Sequence, residues 1–206
     1  MDFAHEAFNV SLTPNERELV DRLDSPEAIQ AFLAEEVNYN FEPDGATARG
    51  PVEVLRRREA HCFEGAIFAA ALFWRQGIDP LLVPLEAPQD FDHNLIIFTR
   101  QGKYGRVSQS RHAKLRGKPP IHASLRDLAM AYYPDYTSDW AHDPNELTMR
   151  GFSQPIDLRR YGDAWVTATE VWDIYHTFIE GVPLEKLFPE SEADRIYCYP
   201  EEHLRE

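Results

Sequence analysis

The sequence has few cysteines, no long apolar run and fewer basic than acidic residues. Its 206 residues include 2 cysteines, too few for the disulfide framework of a small secreted domain. The longest apolar run is the segment 66–74, whereas a membrane-spanning helix needs about 20 apolar residues. The first residues contain neither a basic nor an apolar stretch, so no signal peptide is predicted. We therefore expect a cytoplasmic protein without a membrane segment or a structural disulfide.

The composition is typical of a folded globular chain. Hydrophobic residues make up 43% of the sequence and aromatic residues 12%. A chain of this length buries roughly 70% of the surface that its unfolded form exposes, and its length favours one domain. We expect a single domain over residues 1–206, with a core at about residues 50–135 and a C-terminal helical extension at about residues 136–206.

The charge is acidic overall but unevenly distributed. A formal charge of −14 at pH 7 argues against binding to nucleic acid or to an anionic membrane. Residues 95–126 nevertheless contain eight basic residues and no acidic one. This basic segment either pairs with acidic segments elsewhere, such as residues 185–206, or faces a small anionic ligand. Its basic residues are Arg100, Lys103, Arg106, Arg111, Lys114, Arg116, Lys118 and Arg126.

The order of predicted elements favours an α+β fold. Residues 62–76 are apolar on every side, which is typical of a buried central helix, and Gly77 ends it. Strands are predicted at 81–83, 94–98 and 104–108, with a hairpin at Gln101-Gly102 between the last two. A helix followed by antiparallel strands indicates α+β rather than βαβ. Further helices are predicted at 25–37, 51–58, 124–133 and 163–179, and a last strand at 196–199.

Cys62 lies at the start of the predicted central helix. The positive end of a helix and the upstream bases Arg56, Arg57 and Arg58 both favour a thiolate there. The alternative interpretation is a small buried apolar side chain, a frequent role of free cysteine. His93 stands at the start of a predicted strand. A helix that packs on a sheet can bring its first residue next to the end of such a strand. The two residues are therefore candidates for nucleophile and general base, although a histidine at a strand start is also a common surface or capping residue.

The local sequences resemble the transglutaminase-like superfamily, whose members share a papain-type arrangement. The resemblance covers residues 50–110 and extends weakly to residues 125–133, where the sequence looks like an uncharacterised bacterial group. It implies an α+β fold in which a buried Cys-bearing helix packs on an antiparallel sheet with surrounding helices. It also implies Cys62 and His93 as catalytic residues and no cofactor. The residues that carry it are Ala60-His61-Cys62-Phe63-Glu64-Gly65-Ala66, Ala70-Ala71-Leu72, Gly77-Ile78, Val83 and Asp92-His93.

The sequence departs from this pattern in two places. Asn94 and Leu95 follow the histidine, where a small residue and an aromatic one are usual in such families. Ser108 stands where the third, acidic member of the site is expected, and a serine can orient an imidazole but carries no charge to stabilise its protonated form. Possible substitutes for the third member are Asp90, Asp92, Gln109 and His112.

Two further side chains near Cys62 have mainly structural interpretations. Glu64 lies on an otherwise apolar helix and requires a buried partner, which we expect among the arginines of the basic segment. A zinc site formed by Cys62, His61, His93 and His112 is a weaker alternative, because the sequence contains no closely spaced ligand pairs. We predict no metal.

Two functions from different classes follow. The first is a thiol-dependent acyl transferase or amide or peptide hydrolase, in which Cys62 forms a thioester and His93 transfers protons. Its substrate would be a peptide, an amide or a small acyl compound, including an anionic one. The second is a catalytically weakened relative that binds a peptide or a partner in the same groove, for which Ser108 is the main support. The sequence gives no oligomeric state.

Overall fold

The computed structural model describes residues 3–87, 90–136, 147–179 and 182–189. In these ranges the first half of the chain is mainly helical, and short 3-10 turns accompany the later helices. The α-helices are α1 (Phe3–Ser11), α2 (Pro14–Arg22), α3 (Pro26–Glu35), α4 (Pro51–Arg57), α5 (Cys62–Arg75), α6 (Leu125–Met130) and α7 (Trp172–Ile179).

The strands form one seven-stranded antiparallel sheet and one small parallel pair. The small pair joins β1 (Asn38–Tyr39) to β2 (Glu59–Ala60). In the large sheet the order is β6-β5-β4-β3-β7-β9, and β8 also pairs with β3. These strands are β3 (Leu81–Glu86), β4 (His93–Arg100), β5 (Lys103–Val107), β6 (Lys118–His122), β7 (Gly151–Ser153), β8 (Ile156–Asp157) and β9 (Leu184–Lys186).

Helix α5 packs against the centre of the large sheet, and β4 separates two apolar cores. Side chains alternate across a strand, so Ile96 and Phe98 join the core that contains α5. Leu95 and Ile97 join the second core, which includes residues of α6. The three alanines 69–71 of α5 are all buried, which places the helix close to its neighbours. The start of α5 therefore has a fixed position beside the start of β4.

Gly65 permits a close contact one turn into α5. A Cβ atom at this position would lie 2.5 Å from Cβ of Gln109, a distance that side chains do not adopt. Gln109 is itself anchored, because its Nε2 donates to the carbonyls of Leu33 and Val37, each at 2.8 Å. The segment that follows β5 is thus held directly against the first turn of α5.

The structure confirms the α+β class and the buried helix that begins at Cys62 and packs on an antiparallel sheet. It also confirms the cap at Ser25, whose hydroxyl accepts from Ala28 N at 3.2 Å. The predicted helix 163–179 is wrong in length, because a 3-10 turn at Ala164–Val166 and α7 are separate elements. The predicted helix 124–133 contracts to α6, which Ser124 caps and which a Tyr133–Asp135 turn follows.

Several elements were not predicted from the sequence, namely α1, α2, β1, β2, β6, β7, β8 and β9. The proposed final strand at 196–199, which includes Cys198, lies outside the described residues. Among the described residues, no helix combines the length and the apolar character that a membrane crossing requires. The cytoplasmic location stays a prediction.

Candidate active site

Cys62 is the first residue of α5 and borders a cleft of about 560 Å³. Its thiol donates to the carbonyl of Asp92 at 3.6 Å, and Nδ2 of Asn94 donates to Sγ at 3.6 Å. The side chain is partly exposed. The thiol therefore faces the loop before β4 and the first residues of that strand, in a cavity that a substrate can enter.

His93 is buried at the start of β4 and has a fixed tautomer. Its Nε2 lies 2.8 Å from the main-chain carbonyl of Leu115, and a carbonyl only accepts, so Nε2 carries a proton. The ring also packs edge-on against Tyr132, with centroids 5.5 Å apart. Nδ1 is therefore the nitrogen left to exchange a proton with a thiol.

Cys62 and His93 line the same small crevice, and the ring of His93 lies close enough to the thiol to lower its pKa. Burial would raise the pKa of the thiol, but hydrogen bonds with His61 and His93 and the positive charges of both rings outweigh it. The pKa of Cys62 consequently lies well below that of an ordinary thiol. A thiolate at neutral pH is the nucleophilic form of cysteine, and its position at a helix start acts in the same direction.

Ser108 does not stand in the place that the sequence indicated. The acceptor for His93 Nε2 is the carbonyl of Leu115, and the hydroxyl of Ser108 donates to this same carbonyl at 3.0 Å. Ser108 Oγ also lies 3.2 Å from the hydroxyl of Tyr132. Ser108 and His93 therefore share an acceptor, and no hydrogen bond joins these two described residues, which corrects the expected position of Ser108. Its effect on catalysis stays a prediction.

Glu64 fixes the first turn of α5. It is 0% exposed, and its Oε2 accepts from His61 N at 3.1 Å to complete a capping box. Its Oε1 accepts from Thr47 Oγ1 at 2.7 Å and from Arg49 N at 3.0 Å. The basic side chains within 4 Å of it are His61, at 3.6 Å, and Arg49, at 3.8 Å, so the expectation of a partner in the basic segment is wrong. The loop 40–49 supplies the partners instead.

His61 links this cap to the thiol. Its Nδ1 accepts from Phe63 N at 3.3 Å, and its Nε2 lies 3.1 Å from the carbonyl of Thr47. These contacts are those of a neutral ring. Burial lowers the pKa of His61, but the hydrogen bond and charge of Cys62 and the charge of Glu64 outweigh it and raise the pKa to about 9. A thiolate at Cys62 therefore favours protonation of His61. A protonated Nδ1 can no longer accept the hydrogen bond from Phe63 N, so this contact is lost.

The aspartates before β4 are engaged in the loop. Asp90 accepts from Phe91 N and from Thr148 Oγ1, each at 2.8 Å. Asp92 accepts from Ala87 N at 2.8 Å. Burial raises the pKa of Asp92 to about 6, and the charges of Glu86, Cys62 and Asp90 add to this effect. Both residues border the cleft, while the hydrogen bond from His93 Nε2 goes to Leu115.

The other proposed substitutes for the third member have different surroundings. Gln109 is 1% exposed and binds main-chain carbonyls of the helical half, which is a structural role. His112 lies on a small crevice shared with Cys62 and His93, and Nε of Arg111 donates to its Nε2 at 3.2 Å. Among the described residues, no cluster of histidine, cysteine and carboxylate side chains is suited to a metal ion.

The residues of the basic segment make several different kinds of contact. Arg100 pairs with Glu27 at 2.7 Å, Lys114 with Asp135 at 2.9 Å, and Arg126 with Glu185 at 3.3 Å. Arg106 is buried over the ring of Tyr132. Arg111 borders the cleft at Cys62. Ion pairing with other segments therefore accounts for part of the segment, and Arg111 is its member at the candidate site.

Three groups that contact the candidate pair were not identified from the sequence, namely the main-chain carbonyls of Leu115 and Asp92 and the side chain of Asn94. The carbonyl of Leu115 left no signal, because a main-chain group is the same in every residue. Asn94 did leave a signal, because it is a buried polar residue directly before the four apolar residues 95–98 of β4. From the sequence alone, Asn94 was noted only as a departure from a family pattern. The catalytic roles of Cys62 and His93 stay predictions that this geometry supports.

No family model and no curated protein matches the chain. The solved structures that are similar to it include two of Legionella pneumophila LapG. One is 16% identical, covers 86% of this chain and 96% of that chain, and gives a TM-score of 0.43. The EGTA-treated form is 19% identical, covers 56% of this chain and 77% of that chain, and gives a TM-score of 0.36. At these values the similarity concerns the fold alone.

Proposed function

We propose that the chain is a thiol-dependent acyl transferase or a peptide or amide hydrolase, with Cys62 as nucleophile and His93 as general base. The observation that carries this proposal is the position of Cys62 at the start of α5, beside an open cleft and in a crevice that it shares with His93. The lowered pKa of Cys62 supports it, because the thiolate is the reactive species. The substrate class, a peptide, amide or small acyl compound, is part of the proposal.

The reaction proceeds through a thioester. The Cys62 thiolate forms a bond to the carbonyl carbon, and the carbonyl π electrons move to oxygen. His93 Nδ1 then gives its proton to the leaving amine as the C–N bond breaks. Water or an acceptor amine attacks the thioester, His93 takes the proton of this nucleophile, and the thiolate leaves. Nε2 keeps its proton throughout, because Leu115 holds it.

The neutral carbonyl behind His93 favours a second candidate function, a peptide- or partner-binding module that uses the same cleft. The Leu115 carbonyl holds the imidazole of His93 in the correct tautomer. In serine proteases this tautomer is lost when the catalytic aspartate is replaced by asparagine, which lowers the rate by about 10⁴. The carbonyl supplies less charge than a carboxylate to stabilise the imidazolium. We therefore expect a slow enzyme. If the rate of acyl transfer is zero, the protein is a binding module only.

Acyl transfer from p-nitrophenyl acetate tests the proposal. The wild type is expected to release a burst of p-nitrophenolate and to gain one acetyl group on Cys62, as located by peptide mass spectrometry. Cys62→Ser and His93→Ala should abolish the burst, and Cys198→Ser should retain it. A wild type that binds peptides but never forms the thioester would establish the binding module instead.

A further inference from the structure

Asn94 is a polar residue in a part of β4 that is otherwise apolar. It is 9% exposed, and the four residues that follow it, 95–98, are buried and apolar. Burial of a primary amide is unfavourable unless its donors find partners. The partner of Asn94 Nδ2 is the sulfur of Cys62, at 3.6 Å. Sulfur is a weak acceptor, so packing alone gives no reason for an asparagine at this position.

Asn94 and His93 both lie beside the sulfur of Cys62. Successive side chains of a strand point to opposite faces, so His93 and Asn94 leave β4 in different directions. Both nevertheless lie beside Cys62, because His93 lines the same crevice and Asn94 Nδ2 donates to the sulfur. Asn94 also lines the large cleft beside Cys62, so a donor N–H and the nucleophile face the same space.

We propose that Asn94 is a catalytic residue whose side-chain amide, together with the main-chain N–H of Cys62, binds the oxyanion of the tetrahedral intermediate. The inference rests on the proposed function. When Sγ bonds to the carbonyl carbon, the new oxyanion lies one bond from that carbon and near the sulfur, within reach of Nδ2. The main-chain N–H at a helix start has no intrahelical acceptor and points in the same general direction as the helix dipole.

The donor acts only while the oxyanion exists. It donates more strongly as negative charge develops on the oxygen, and it returns to the sulfur when the C–N bond breaks and the carbonyl reforms. Loss of one such donor lowers kcat by about 10²–10³. A different role, stabilisation of the thiolate itself, would raise the thiolate fraction before any substrate binds. The two roles therefore differ in the reactions that they accelerate.

Two reagents separate these roles. Acylation by p-nitrophenyl acetate passes through a tetrahedral oxyanion, whereas alkylation by iodoacetamide displaces iodide from a saturated carbon and forms no oxyanion. Asn94→Ala removes the donor. Asn94→Leu removes it with little change of size and fits the apolar strand, so it stays informative if the alanine variant does not fold. Thr99→Ala changes an exposed polar residue of the same strand and serves as the control.

The expected result is an acylation rate lower by about 10²–10³ in both Asn94 variants, with the alkylation rate and its pH profile unchanged. An unaltered acylation rate would overturn the assignment, as would an equal fall of both rates with a shifted pH profile, which indicates thiolate stabilisation. If the wild type shows no acylation that depends on Cys62, the proposed function fails and the oxyanion role fails with it. Wild-type acylation that Asn94 does not affect overturns the oxyanion role alone.

Discussion

Replacement of Glu64 tests how strongly the start of α5 depends on its buried cap. The carboxylate accepts hydrogen bonds from Thr47 Oγ1 at 2.7 Å, Arg49 N at 3.0 Å, His61 N at 3.1 Å and Asn40 Nδ2 at 3.2 Å. Removal of one member of a buried charged network costs about 3–5 kcal/mol. We expect Glu64→Ala to lower the free energy of unfolding by about this amount, which corresponds to a Tm lower by roughly 6–20 °C for a chain of this size.

Urea unfolding followed by circular dichroism measures this change. Glu64→Gln keeps one oxygen acceptor but turns an NH₂ group toward two of the donors, so its loss should be smaller, about 1–3 kcal/mol. Glu27→Ala is the matched control, because its exposed ion pair with Arg100 contributes only about 0–1 kcal/mol. A loss below about 1 kcal/mol in Glu64→Ala would refute the role of the cap, since surface pairs alone reach this value.

The same side chain predicts a pH dependence. Burial would raise the pKa of Glu64, but the charge of His61 and the hydrogen bonds from Thr47, Arg49 and Asn40 hold it below its ordinary value. The contribution of the carboxylate is therefore complete above the pKa of the unfolded chain and is lost as the pH falls through the lower folded pKa. We expect the stabilities of the wild type and Glu64→Gln to converge in acid. A constant difference between them from pH 7 to acid would contradict this linkage.

Three other predictions concern the thiol, its histidine and the helix. In Cys198→Ser, the rate at which iodoacetamide labels Cys62 should change little with pH around neutrality. In Cys62→Ser, the labelling rate of Cys198 should rise about tenfold for each unit of increasing pH, because an ordinary thiol has a pKa of about 8.5. Equal pH profiles for the two cysteines would exclude an activated thiol. Ser108→Ala should lower the free energy of unfolding by about 0.5–1.5 kcal/mol, and the acylation rate should fall because the carbonyl that holds His93 loses a donor; an unchanged acylation rate would leave Ser108 a structural residue only. Ala70→Leu should lower stability by about 1–3 kcal/mol in thermal melts because the site is fully packed, and an unchanged Tm would contradict the tight packing of α5.

Features that depend on neighbours in the sequence were largely predictable. The apolar run of α5 predicted a buried helix, Gly77 marked its end with a φ of 75°, and Ser25 marked the start of α3. The hairpin at residues 101–102 was predictable because a turn of this kind requires positive φ, which both residues adopt. The prediction of one helix over residues 163–179 was wrong in length, because the apolar residues of this segment also suit a turn and a shorter helix that pack separately on the core.

The sequence alone determined that a cysteine begins a buried helix and that a histidine begins a strand of an antiparallel sheet, because helix and strand periodicity are local properties. Only the tertiary structure decided which groups meet there. The carbonyl of Leu115 holds His93, Arg49 rather than a distant arginine faces Glu64, and Asn94 points at the sulfur. These contacts join segments that are far apart in sequence, and their partners depend on how the helix sits on the sheet, which residue-by-residue patterns do not encode.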